Sequence, residues 1–162
     1  MPRAPVSTFD RAVRLLAARR RSEAELRGAL EHQGAPAGEI ADAIARVKHL
    51  AYLDDRTLAE DRARKLLAQG YAVDLAAQKL AATGFDEPDA SAAVRGAAEG
   101  ATSEELCRRA LEVRRKGRNL LTLEGAARRR LARALVARGH DPQIVARLLG
   151  VAPRDREAEA RE

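Results

Sequence analysis

One spacing occurs three times in this chain. Leu26, Leu30 and Gly34 stand four residues apart, as do Ala76, Leu80 and Gly84, and again Leu131, Leu135 and Gly139. Six residues beyond the glycines lie Ile40, Ala90 and Val145; ten beyond lie Ile44, Val94 and Leu149. Apolar residues at i and i+4 share one face of a helix, a glycine then stops it, and the second pair starts the face of another. The glycines are 50 and then 55 residues apart. A helix–glycine–helix unit recurring at nearly constant period implies a modular array rather than one spherical core.

Each unit is preceded by one more amphipathic stretch. Phe9, Ala12, Val13 and Leu16 form the first; Leu58, Leu66 and Leu67 the second; Leu106, Ala110 and Val113 the third. Ala, Leu, Arg and Glu dominate and β-branched residues are few, which favours helix throughout. The expected fold is therefore all-α, an elongated array of three tandem three-helix repeats over 8–53, 54–101 and 102–150. Residues 1–7 read as a frayed lead-in, and 151–162, where charges alternate with alanine, as a disordered tail.

Local signals mark the helix ends. Ser22 with Glu25, and Thr102 with Glu105, have capping-box spacing. Asp74, Asp86 and Thr122 are candidate N-caps, with Phe85 as the staple before Asp86, and Pro36 suits the first turn of the third helix. Asp141-Pro142 reads as N-cap and N1 of the last helix. The first helix ends in Arg19-Arg20-Arg21, cations placed against the negative end of its dipole. Between the first two units lies Tyr52-Leu53-Asp54-Asp55. With Asp54 as N-cap, Leu53 and Leu58 occupy the two positions of a hydrophobic staple, and this stretch becomes the structural junction between repeats.

Charge is uneven. Residues 1–53 carry nine cations against six carboxylates (net +3), 54–101 six against nine (net −3), and 102–150 twelve against five (net +7); the tail is net −1. Basic ends flanking an acidic middle suit a polyanion or an acidic protein surface better than a neutral small molecule. The candidate binding residues are the basic runs Arg19, Arg20 and Arg21; Arg114, Arg115, Lys116 and Arg118; and Arg128, Arg129 and Arg130 with Arg133. Aromatics number four, Phe9, Tyr52, Tyr71 and Phe85, and the last three read as packing residues at helix junctions. Single-strand binders stack bases on aromatic platforms, so contact with single- or double-stranded DNA here is expected through phosphates alone.

Other chemistries find no support. Asp54 and Asp55 diverge at a helix start, with no further ligands at metal spacing. His32, His49 and His140 fall in separate repeats, His140 at the position that Phe85 holds, and Cys107 has no neighbouring base. No glycine-rich phosphate loop is present, since Gly34, Gly84 and Gly139 stop helices. No catalytic residue, metal or cofactor is assigned, and an enzyme is not expected. With one cysteine, and neither a membrane-length apolar run nor a signal peptide, the expected protein is a cytoplasmic monomer making no membrane contact.

Tyr52-Leu53-Asp54-Asp55, then Leu58-Ala59-Glu60, Gly70-Tyr71, and Leu80 through Gly84-Phe85 resemble the signature of the RecX family. Ser22–Gly34 before it and Arg130-Leu131 through Gly139-His140 after it sit where that family's first and third repeats would. The resemblance spans roughly residues 9–150. It implies three tandem three-helix repeats and regulation of the RecA recombinase: seating in the helical groove of the RecA filament on single-stranded DNA, inhibition of ATP hydrolysis and strand exchange, and promotion of disassembly. The chain departs from the pattern with Leu58 at a usual aromatic, Ala72 at a usual glycine, Lys79 at a common acid, Ala35 at an aromatic, and about ten extra residues between Leu111 and Leu131. The competing reading is a helix-turn-helix DNA-binding transcription regulator. Against it, the helix after Gly84 opens Asp86-Glu87-Pro88-Asp89, carboxylates that repel phosphates.

Overall fold

The computed structural model describes residues 6–151, and within them nine α-helices, one 3₁₀ turn and no strand. The helices are α1 (Thr8–Ala18), α2 (Glu23–His32), α3 (Ala37–His49), α4 (Asp55–Ala68), α5 (Val73–Ala81), α6 (Glu87–Ala98), α7 (Ser103–Arg115), α8 (Gly125–Val136) and α9 (Pro142–Leu149). The 3₁₀ turn, Leu120–Thr122, lies between α7 and α8. Of the expected lead-in and tail, Ser7 instead caps α1 by accepting the Asp10 amide and Val151 packs against the third core, while 1–5 and 152–162 fall outside the described residues.

Three separate cores hold the helices in threes, which is the all-α tandem arrangement expected. Ala12, Leu26, Leu30, Ile40, Ile44 and Val47 close the first. Leu58, Ala63, Leu80, Phe85 and Val94 close the second, and Cys107, Leu111, Leu131, Leu135, Val145 and Leu149 the third. All six residues read at six and ten positions beyond the glycines are buried. Gly34, Gly84 and Gly139 adopt φ of +75°, +93° and +87°, the left-handed turn that lets each second helix end and the third begin.

Several helix ends differ from the local signals. Both capping boxes form, at Ser22/Glu25 and Thr102/Glu105, and Asp141 accepts the amides of Gln143 and Ile144. Asp74 is not a cap: α5 starts after Ala72, whose amide donates to the Arg138 carbonyl at 2.9 Å, so a neighbouring module supplies the partner. Thr122 ends the 3₁₀ turn, and α8 starts after Glu124. Pro36 stands at the N-cap itself, and Asp86 holds that position without a side-chain cap bond. Val113 is exposed rather than inward, because the α7 stripe runs through Leu106, Cys107, Ala110 and Leu111.

The modules meet through one joint used twice. At the first, the Gly84 turn sits on the first turn of α2: a Cβ on Gly84 would lie 2.5 Å from the Ala24 Cβ, and the Ser22 hydroxyl donates to the Thr83 carbonyl at 3.4 Å. At the second, the Gly139 turn sits on the first turn of α5, where a Cβ would lie 2.9 Å from the Leu75 Cβ, and the Ala72 amide donates to the Arg138 carbonyl. Ser22 and Ala72 are counterparts 50 residues apart; Thr83 and Arg138 are counterparts 55 apart. Each module therefore docks its glycine turn on the second helix of the module before it.

Candidate functional site

The junction stretch divides its labour between two modules. Leu53 is buried in the first core and Leu58 in the second, so the expected staple between them does not form. Asp54 caps its own helix, accepting the Thr57 amide at 3.0 Å, and the Thr57 hydroxyl and amide hold its carboxyl below the usual range. Asp55 reaches back 32 residues: its two carboxylate oxygens accept the Glu23 amide at 3.0 and 3.1 Å, capping α2 from outside. Burial pushes the Asp55 carboxyl up despite that amide. Tyr52, expected to pack, is 58% exposed.

Ion pairs complete the first joint. Arg62 pairs with Glu25 at 2.6 Å across it, both side chains being largely covered. Burial raises the Glu25 carboxyl, but the Ser22 amide and the Arg62 and Arg19 guanidiniums outweigh it and hold it below the usual range. Of the first basic run, Arg19 pairs with Glu25 at 3.2 Å and Arg20 with Asp61 of α4. Arg21 Nε donates to the Leu15 carbonyl at the end of α1. That run is thus engaged in the fold and the joint, although the Arg19 and Arg20 side chains stay about half exposed.

At the second joint, Arg138 Nε donates to the Gln69 carbonyl and its guanidinium lies 4.8 Å over the Tyr71 ring. His140, in the place of Phe85, is buried, and its Nε2 lies 3.0 Å from the Gly70 carbonyl; it therefore carries its proton on Nε2. Burial lowers the pKa of the ring, partly opposed by that carbonyl. Lys79 Nζ lies 5.0 Å from the centre of the same Tyr71 ring, so two cations contact it. Cys107 is buried in the third core, and burial with the fields of Glu104 and Asp141 pushes its thiol up to about 11. Among the described residues no group of three His, Cys, Asp or Glu side chains could hold a metal ion, and no helix is long and apolar enough to cross a membrane.

The remaining cations split by role. Arg115 pairs with Glu112 and donates to the Arg118 carbonyl, while Arg118 Nε returns a bond to the Arg115 carbonyl. Arg128 is a clamp: Nε donates to the Leu123 carbonyl and Nη2 to those of Leu120 and Leu121. Arg114, Lys116, Arg129, Arg130 and Arg133 have no carboxylate partner among the described residues. Arg129, Arg130 and Arg133 are exposed on α8, whose first turn contains no acidic residue. Sequence reasoning missed Asp55, His140 and the Arg128 clamp as tertiary contacts, since each partner lies on another segment.

The model for the first three-helix domain of RecX matches residues 9–46, most of the first module. The regulatory protein RecX of Syntrophotalea carbinolica is 42% identical over 65 residues, a stretch covering 40% of this chain and 42% of that relative's length. The crystal structure of RecX from Lactobacillus salivarius superposes with a TM-score of 0.65 over 88% of this chain and 92% of that one, at 15% identity, and so shares the fold. The first module is thus similar to the RecX first domain, a 65-residue stretch is similar to a RecX regulatory protein, and the three-module architecture is the fold of a RecX crystal structure.

Proposed function

We propose that this protein binds the filament of the RecA recombinase, along its helical groove, and lowers its ATP hydrolysis and strand exchange. It acts as a cytoplasmic binding protein and not as an enzyme. The observation that supports this reading is the doubled joint, which links three modules, the first similar to the RecX first domain, into one array. A stiff multi-module surface is suited to spanning several subunits of a polymer. The guanidiniums of Arg129, Arg130 and Arg133, which have no carboxylate partner among the described residues, are with Arg114 and Lys116 the side chains that would meet acidic protein groups or DNA phosphates. The acidic second module favours protein as the principal contact.

The test is a titration of this protein into the cognate recombinase on single-stranded DNA, following ATP hydrolysis. Inhibition at or below equal amounts is the expected result, weakening as salt rises. Unchanged turnover with excess protein removes the proposal.

A further inference from the structure

We propose that the 3₁₀ turn Leu120–Thr122 is a preformed docking knob, with Leu121 as its anchor, for a protein surface bearing an apolar recess rimmed by carboxylates. This rests on the filament-binding reading above and names the part of the chain that makes one contact.

The turn is heavily braced for an exposed loop. Asn119 Oδ1 accepts the Leu121 amide at 2.9 Å, and the Thr122 hydroxyl donates to the Asn119 carbonyl. Arg128 gathers the carbonyls of Leu120, Leu121 and Leu123 from α8. Leu120 and Leu123 turn inward against the third core, whereas Leu121 between them is 85% exposed, the most exposed large apolar residue among those described. A lone exposed leucine is ordinary. One held out by a braced turn loses little conformational freedom on binding, the condition under which an apolar anchor contributes most.

Its place in the array supplies the second argument. In the first two modules the start of the second helix is the seat for the next module's glycine turn. In the third module the counterpart of Ser22 and Ala72 is Ala127, and α8 begins two residues before it, at Gly125, with the braced turn packed in front. The seat is thus replaced by a projecting knob at the end where a fourth module would dock. Lys116 and Arg118 precede the turn and Arg129 and Arg130 follow it, all exposed, against the single exposed carboxylate of Glu124, so the segment that carries Leu121 is net cationic and calls for carboxylates in the partner.

The test compares wild type, Leu121→Asp and Leu121→Met for binding to recombinase filaments assembled on single-stranded DNA, and separately to the same oligonucleotide alone. Thermal unfolding should be the same for all three, because the side chain is in solvent. The aspartate is expected to weaken filament binding by about tenfold or more, and the methionine to restore it, since burying a leucine side chain commonly supplies that much. Equal filament binding by wild type and aspartate variant overturns the knob. Loss of oligonucleotide binding in the same proportion also overturns it, by making DNA the occupant. If wild type itself fails to bind the filament, it is the parent reading that falls.

Discussion

Asp55, the first residue of α4, caps the amide of Glu23, the first residue of α2, at 3.0 and 3.1 Å. The chain link between two modules and the bond between them are the same few residues, because Asp54 beside it serves its own helix. Asp55→Ala should therefore cost about 1 kcal/mol, as for an ordinary N-cap, and should loosen the first joint. Amide exchange at Glu23 should quicken more than at Leu106, which lies in the third module. A variant as stable as wild type, with Glu23 exchange unaltered, would exclude the cross-cap.

The three equivalent glycines should not respond alike. At Gly34 an added methyl meets nothing within 4 Å, so Gly34→Ala should cost only the left-handed penalty, roughly 1–2 kcal/mol. Gly84→Ala adds a collision with Ala24 and Gly139→Ala one with Leu75, each adding about 1–3 kcal/mol. Urea unfolding of the three variants gives the order directly. Equal costs would mean the joints do not hold in solution.

His140 gives the second joint a pH dependence. Burial puts its folded-state pKa below the ordinary 6.5, so in the interval between the two values the unfolded chain binds a proton that the folded chain excludes. Stability should be full above about pH 6.5 and fall as pH drops through the folded-state value. In His140→Phe, which copies Phe85, that component should vanish from melting temperatures measured between about pH 7.5 and 5.

The basic runs should separate by function. Arg129, Arg130 and Arg133 reversed together to glutamate should leave helix content intact and weaken filament or DNA binding. Where phosphates are the target, the salt slope should fall by about 0.7–0.9 for each phosphate no longer neutralised. Arg128→Ala instead frees the 3₁₀ turn and should broaden the backbone resonances of residues 119–123. Unchanged affinity in the triple reversal would remove α8 from the interface.

Cys107 is a reporter of the third core. With its thiol raised to about 11 and fully covered, it should react with a disulfide reagent at about pH 8 only as fast as the module opens. Rapid labelling of the native protein would contradict its burial.

How far the sequence could be read follows from the range of each interaction. Caps such as Ser22, Asp54, Thr102 and Asp141 bond within three residues, so spacing alone reveals them. The core stripe and the glycine stops are equally local. Ala72 could not be found as an N-cap, because alanine has no capping group and its amide is satisfied by Arg138 from the next module. Asp55 bonds an amide 32 residues away, a partner that no local spacing reveals. The insertion before α8 was visible as extra length, but its bracing depends on Arg128 guanidinium bonds that no periodicity encodes. Likewise nothing in the basic runs separates Arg20, committed to Asp61, from Arg130, which faces solvent.

Gly84 on α2 and Gly139 on α5 are seated so closely that neither turn has room for a methyl group. The two glycines that end helices are therefore also the hinge plates of the array, and a substitution at either one alters how two modules face each other before it alters either module's interior.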